Sequence, residues 1–302
     1  MKAYFENQTK LLLEVLGLVM QNQAFALKGG TAINFFHMNM PRLSVDIDLA
    51  YTKITQREKF LKENEGFYRS LSSELLRRKK YLIQVQRTKE GIAKQITISS
   101  KDTGIKVETN LVLRGTVYPP TLKESCEAIR KKYETQIRIN TLSFEDLYAG
   151  KFCAALDRQH PRDLFDLMIF FQNHQITEKL KIAFLVYLIS GNRPISELIN
   201  PNLLDQRHAF KNEFIGMTDQ EVKYEELEAA REMIIKNVQN SLNQKDREFL
   251  ISFKRGSPNW SHLDMEHIKD LSSVKWKLHN IKKMKHKKHG LALNELAKKL
   301  DL

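Results

Sequence analysis

Cysteine, proline and glycine are all scarce in this chain, and each shortage closes off a class of protein. Two cysteines, Cys126 and Cys153, are too few for a disulfide framework and stand in no Cys/His spacing that would hold zinc. Seven prolines and twelve glycines in 302 residues argue against an all-β protein, which needs many tight turns. Long apolar runs are missing too. The longest, Ile182 to Ile189, falls far short of the roughly 20 residues that cross a bilayer. The opening residues, MKAYFENQTK, carry Glu6 and no hydrophobic signal core. These shortages lead us to expect a cytoplasmic protein with no membrane partner.

What is present is a globular composition, 42% hydrophobic and 28% charged, long enough for one large domain or two ordinary ones. The net charge of +13 favours a polyanionic partner and says nothing about fold. It is unevenly spread: residues 251–302 hold 12 Lys+Arg against 5 Asp+Glu, so the C-terminal sixth of the chain carries about half the excess.

The pattern of the first half is mixed. Gln8 to Gln23 reads as a helix, dense in leucine and unbroken by glycine or proline. A short apolar stretch, Ala24 to Leu27, runs into Lys28-Gly29-Gly30-Thr31, where Thr31 is placed to N-cap a helix over 32–38. Leu43 to Tyr51 then alternates, with Leu43, Val45, Ile47 and Leu49 on one face and Ser44, Asp46 and Asp48 on the other. That is a strand with one buried face. A charged helix over 56–80 and strands over 81–87, 93–99 and 105–113 follow. The last strand repeats the device, with Lys106, Glu108 and Asn110 on its polar face. From about Ser143 the periodicity becomes helical to the end, interrupted at Pro161. The expected architecture is a mixed α/β domain over 1–142 followed by an all-helical domain over 143–302.

Asp46-Ile47-Asp48 is the chemical centre of the sequence. Residues i and i+2 of a strand project from one face, with Cα atoms roughly 6.5 Å apart. Two carboxylates so placed can converge on Mg²⁺ or Mn²⁺, which takes one or two protein carboxylates and fills its other positions with water and substrate phosphate. An acidic outer face of an ordinary strand would look the same. Upstream, Gly29-Gly30-Thr31 lies at a strand-to-helix junction, where glycines allow close backbone approach and a helix start offers free amides to phosphate. Neither phosphate-binding glycine pattern, Gly-x-x-x-x-Gly-Lys or Gly-x-Gly-x-x-Gly, is present.

The run Lys28-Gly29-Gly30-Thr31-Ala32, followed by Arg42-Leu43-Ser44-Val45-Asp46-Ile47-Asp48-Leu49, resembles the AbiEii family of nucleotidyltransferase toxins. These are related to the MenT toxins and to the polymerase-β-like nucleotidyltransferases. Glu145 to Leu156 and Pro161-Arg162-Asp163-Leu164-Phe165-Asp166-Leu167 extend the resemblance, which covers roughly residues 24–171. It implies a polymerase-β-like fold with metal ligands Asp46 and Asp48. It implies a phosphate cradle of Gly29, Gly30 and Thr31, with Ser44 close by. Lys151 would contact the NTP phosphates and Asp163 would complete the site, with Asp166 able to replace it and Arg162 able to pair with either or to bind phosphate. Glu108 is the candidate third carboxylate. The implied activity is transfer of NMP from an NTP to RNA, the tRNA 3′ end first, by a toxin with a cognate antitoxin encoded nearby, in a phage-defence setting. A protein or small-molecule acceptor fits the same fold. A non-catalytic RNA-binding protein fits the basic tail. A nuclease of the Asp…Glu-x-Lys type is disfavoured, because Asn110 stands where the lysine would be.

The tail raises its own expectation. Between Lys275 and His289 stand seven lysines, three histidines and no acid. Trp276, Leu278, Ile281 and Met284 form an apolar stripe too narrow for a membrane surface and suited to packing on the domain. A solvated basic helix is one reading. An RNA-backbone grip by Lys282, Lys283, Lys287 and Lys288 is the other.

Overall fold

In the computed structural model, which describes residues 2–101, 103–263 and 265–302, the chain divides into two compact units. One comprises Met1–Ser143 with Ile215–Gln220, and the other Phe144–Phe214 with Glu221–Leu302. The first is built on a mixed seven-stranded sheet and the second is helical.

The first unit begins with α1 (Ala3–Val19), whose leucines at 11, 12, 13 and 16 are buried. β1 (Phe25–Lys28) follows; its unbroken apolar run suits a strand covered on both faces. It lies between β2 (Asp46–Tyr51) and β7 (Arg138–Thr141). A four-residue α2 (Gly29–Ala32) widens directly into a π-helical turn, Ile33–His37. The amphipathic α3 (Arg57–Arg77) buries Phe60, Phe67, Leu71 and Leu75 at helical spacing. β3 (Leu82–Arg87), β4 (Ala93–Ser100), β5 (Thr103–Arg114), β6 (Thr121–Glu124) and α4 (Glu127–Tyr133) complete the unit. The sheet order is β3-β4-β5-β2-β1-β7-β6. β2 runs antiparallel to β1 and parallel to β5. Thr109, the polar member of the apolar face of β5, donates to Asn64 Oδ1 at 2.8 Å and lies 3.1 Å from the Tyr68 hydroxyl, so its burial costs no unpaired group.

Three local expectations change. Thr31 is not an N-cap: the helix starts at Gly29 and Thr31 lies inside it. Its hydroxyl turns to the neighbouring strand instead of to its own helix. The strand expected over 43–51 begins only at Asp46, because the Leu43 amide donates to the Met217 carbonyl at 2.7 Å and not to a sheet neighbour. The segment 215–220, expected among the helices, belongs to the sheet unit. Met217 packs with Phe5, Leu43 and Val45, and Thr218 Oγ1 donates to the Pro41 carbonyl at 2.8 Å.

The second unit contains α5 (Phe144–Arg158), α6 (Pro161–Asn173), α7 (Glu178–Ser190), α8 (Ile195–Ile199), α9 (Arg207–Ala209), α10 (Tyr224–Ser241), α11 (Gln244–Arg255), α12 (Ser272–Lys282) and α13 (His286–Lys299). Phe152, Phe165, Phe170, Phe184, Phe249 and Phe253 fill its core. Among the described residues no helix is long and apolar enough to cross a membrane. The basic segment is not one helix. It breaks over 283–285; a continuous helix would set Lys283 over Lys287 at i,i+4, where like charges repel.

Candidate active site

The site begins with a backbone that only glycine tolerates. Gly29 has φ +75°, in the left-handed region, and a Cβ there would collide with Asp48 Oδ2 and approach its Cβ to 3.2 Å. At Gly30 a Cβ would lie 2.8 Å from Arg42 Nη2 and 3.2 Å from Ser44 Oγ. The two glycines thus let the turn between β1 and α2 lie flat against the strand that carries the aspartates.

Hydroxyls hold the two pieces together. Thr31 Oγ1 donates to the Asp46 carbonyl at 2.5 Å and lies 2.9 Å from Ser44 Oγ. Both residues are buried. They lock the turn to the strand, where the resemblance made Thr31 part of the phosphate cradle and put Ser44 near it.

Strand register places the charges. Asp48 pairs with Lys28 on β1 and with Glu108 on β5, and Asp46 pairs with Lys106. Directly paired residues share a sheet face. One face therefore carries a row Lys28–Asp48–Glu108 and, two residues away, a row Asp46–Lys106. Asp46 and Asp48 are half-buried; Lys106 and Glu108 are exposed. Glu108 stands beside Asp48 as expected, yet among the described residues no three acidic, histidine or cysteine side chains gather as a metal-holding group. The donor set that fits a hard divalent cation is the Asp46–Asp48 pair, with Gly29 keeping the space beside Asp48 clear.

Arg42 was not singled out as a functional residue from sequence. It is only 2% exposed, its Nη1 donates to the Leu43 carbonyl at 2.8 Å, and its guanidinium lies against Gly30. The available signal was its place two residues before Ser44 on a run that alternates.

Lys151 and Asp163 lie in the second unit, and there they meet each other. Lys151, on α5, is 6% exposed, with Nζ 2.8 Å from Asp163 Oδ1 and 2.7 Å from Asp166 Oδ2 on α6. Arg158 grips Asp163 with two nitrogens, Nε to Oδ2 at 2.6 Å and Nη2 to Oδ1 at 3.2 Å. Burial pushes the Asp163 carboxyl up, but the Lys151 and Arg158 charges more than offset this and hold it well below the usual carboxylate range. The ammonium of Lys151, which the resemblance assigns to the NTP phosphates, is here a buried cation clasped by two carboxylates. Arg162, expected either to pair with one of those carboxylates or to bind phosphate, lies 3.7 Å from Glu213; Arg158, at the end of α5, pairs with Asp163.

The basic tail residues Lys282, Lys283, Lys287 and Lys288 are all exposed in the second unit.

The sequence profile of the family described as nucleotidyl transferase AbiEii toxin, type IV toxin–antitoxin system, matches residues 10–278. No curated protein matches the sequence. Among solved structures, the fold is similar to that of MenT4, a nucleotidyltransferase toxin from Mycobacterium tuberculosis H37Rv. The TM-score is 0.57 at 17% identity, covering 92% of each chain.

Proposed function

Because the chain belongs to the AbiEii family of nucleotidyltransferase toxins of type IV toxin–antitoxin systems, we propose that it transfers a nucleoside monophosphate from an NTP to a hydroxyl of RNA, the tRNA 3′ end in first place. The bond from the acceptor oxygen to the α-phosphorus forms, the α–β phosphoanhydride breaks, the hydroxyl proton is lost and pyrophosphate leaves. The observation that carries this reading is the fastening of a glycine turn to a two-aspartate strand through Thr31 and Ser44. That arrangement supports a triphosphate cradle beside a carboxylate pair.

Asp46 and Asp48 would hold Mg²⁺ or Mn²⁺, which when bound supplies positive charge against the triphosphate. The Gly29–Gly30 backbone lets Asp48, Arg42 and Ser44 lie against the turn, where any side chain would push them away. Lys28 and Lys106, on the same sheet face, add charge complementary to the polyphosphate. Lys151, held by Asp163 and Asp166, is the residue that the resemblance assigns to the NTP phosphates. Positioning and charge suffice for nucleotidyl transfer, with no covalent nucleophile. A toxin acting on RNA works in the cytoplasm and needs a cognate antitoxin; growth arrest of an infected cell, as phage defence, is the setting.

The test is incubation of the purified chain with total RNA, Mg²⁺ and each α-labelled NTP in turn. Label should enter RNA, and Asp46→Asn or Asp48→Asn should reduce it by about 100-fold or more. Label entering protein would move the acceptor to another class. Full activity in both variants would refute the site.

A further inference from the structure

The seven lysines between Lys275 and His289 do not share one environment. Lys275 pairs with Asp270 at 2.9 Å. Lys277 is half-buried and donates to the Gly191 and Arg193 carbonyls at 2.5 and 2.7 Å; burial, with the nearby Lys254 charge, pushes it down to about 8. The other five, Lys282, Lys283, Lys285, Lys287 and Lys288, are exposed and make no ion pair among the described residues. They occupy the corner where α12 gives way to α13.

This corner is a fixed surface. Val274 and Ile281 are buried beneath α12, Ser273 Oγ donates to Ser190 Oγ at 3.1 Å, and His289 Nε2 donates to the Lys254 carbonyl at 2.6 Å. Five unneutralised charges are therefore held together by packing that does not involve them.

Trp276 lies on the same helix and is 53% exposed. Its ring stacks on His279, centroids 5.9 Å apart at 24°. The other tryptophan behaves as a packing residue: Trp260 lies 5.8 Å from Phe249 and 6.4 Å from Phe253. An exposed indole on a lysine-rich surface combines the two elements that bind unpaired nucleic acid, a stacking platform and a cationic track. Duplex RNA offers no free base face to such a ring. A membrane would need an apolar face, and Ile281 is turned inward while Leu278 is half-buried.

We propose that the α12–α13 corner binds single-stranded RNA, with Trp276, backed by His279, stacking on an unpaired base while the five lysines follow the phosphates. This deepens the RNA-acceptor reading and rests on it for its biological setting. Binding itself is measurable without catalysis.

The experiment is equilibrium binding of the full chain to 12-nucleotide oligo(A) and to a 12-base-pair RNA duplex, read by tryptophan fluorescence and by anisotropy across a salt series. Trp276→Ala should weaken oligo(A) binding about 5- to 150-fold, the range for one lost base stack, with the salt slope and the duplex affinity unchanged. Trp276→Phe should keep most of the affinity and lose most of the quenching. Changing Lys282, Lys283, Lys287 and Lys288 together to Gln should flatten the log affinity–log salt slope by up to about 3 units. Wild-type affinity in Trp276→Ala, equal loss on the duplex, or competition by poly-glutamate as effective as by RNA would each overturn the proposal. Absence of label transfer with oligo(A) binding intact would refute the transferase reading and leave this surface standing.

Discussion

Gly29 concentrates two demands in one residue, a left-handed backbone and close approach of the Asp48 carboxylate. Gly29→Ala should cost about 1–2 kcal/mol for the backbone alone and reduce nucleotidyl transfer by about 100-fold or more, because the displaced carboxylate no longer holds its position. Gly17 is the control: inside α1, a Cβ there would meet nothing within 4 Å beyond its chain neighbours and its own helix backbone. Gly17→Ala should leave transfer unchanged and raise stability by about 0.5–1 kcal/mol in urea unfolding. Equal activity in the two variants would show that the turn is spacing alone. Lys151 is a residue whose surroundings alter the expected readout. On a solvated helix, its removal would spare the fold. Clasped between Asp163 and Asp166, it is one half of a buried ion-pair cluster, and breaking such a cluster from one side is costly, so Lys151→Ala should destabilise by about 3–5 kcal/mol. Chemical denaturation of this variant decides between the two; a loss below about 1 kcal/mol would return Lys151 to the surface.

At the scale of elements, the π-helical turn after the glycines places His37 beside β7, its Nε2 2.9 Å from Thr141 Oγ1. Burial, helped by the Lys123 charge, pushes His37 down to about 4. The folded chain therefore keeps this imidazole neutral while the unfolded chain protonates it below about 6.5. The contribution is complete above about pH 6.5 and declines by about 1.4 kcal/mol per unit as pH falls towards 4. Urea unfolding of wild type and His37→Gln at pH 7 and pH 5 should show a steeper loss in the wild type. Parallel losses would mean that His37 titrates normally. The expected helix over 32–38 was legible from its apolar run. Its π-helical hydrogen bonding was not, because the sequence signal for i→i+4 and i→i+5 turns is the same over five residues.

At the scale of the whole molecule, the chain leaves the sheet unit at about Ser143 and returns for six residues. Ile215–Gln220 brings Met217 against Phe5, Leu43 and Val45, and its backbone accepts from the Lys2 and Leu43 amides at 2.8 and 2.7 Å. This strap steadies the lead-in to Asp46. Met217→Ala should cost about 2–5 kcal/mol, and in hydrogen exchange it should expose the amides of β1 and β2 while α10 and α11 keep their protection. Faster exchange confined to α10 and α11 would assign the segment to the helical unit.

The sequence by itself determined what depends on neighbours along the chain. The alternation around Asp46 and Asp48, the glycines at Gly29 and Gly30, the mixed-then-helical order and the density of lysines near the end are all short-range patterns, and each corresponds to a structural element. Only the tertiary structure decided which groups from distant positions share a space. Thr31 reaches the Asp46 carbonyl across 15 residues, Met217 meets Leu43, and Lys151 is turned inward to two carboxylates. It also divided seven similar lysines into two with partners and five with no ion pair among the described residues. The physical reason is that a hydrogen bond or ion pair forms where burial brings two groups together and removes water from both, and burial is a property of the packed chain rather than of any stretch of it.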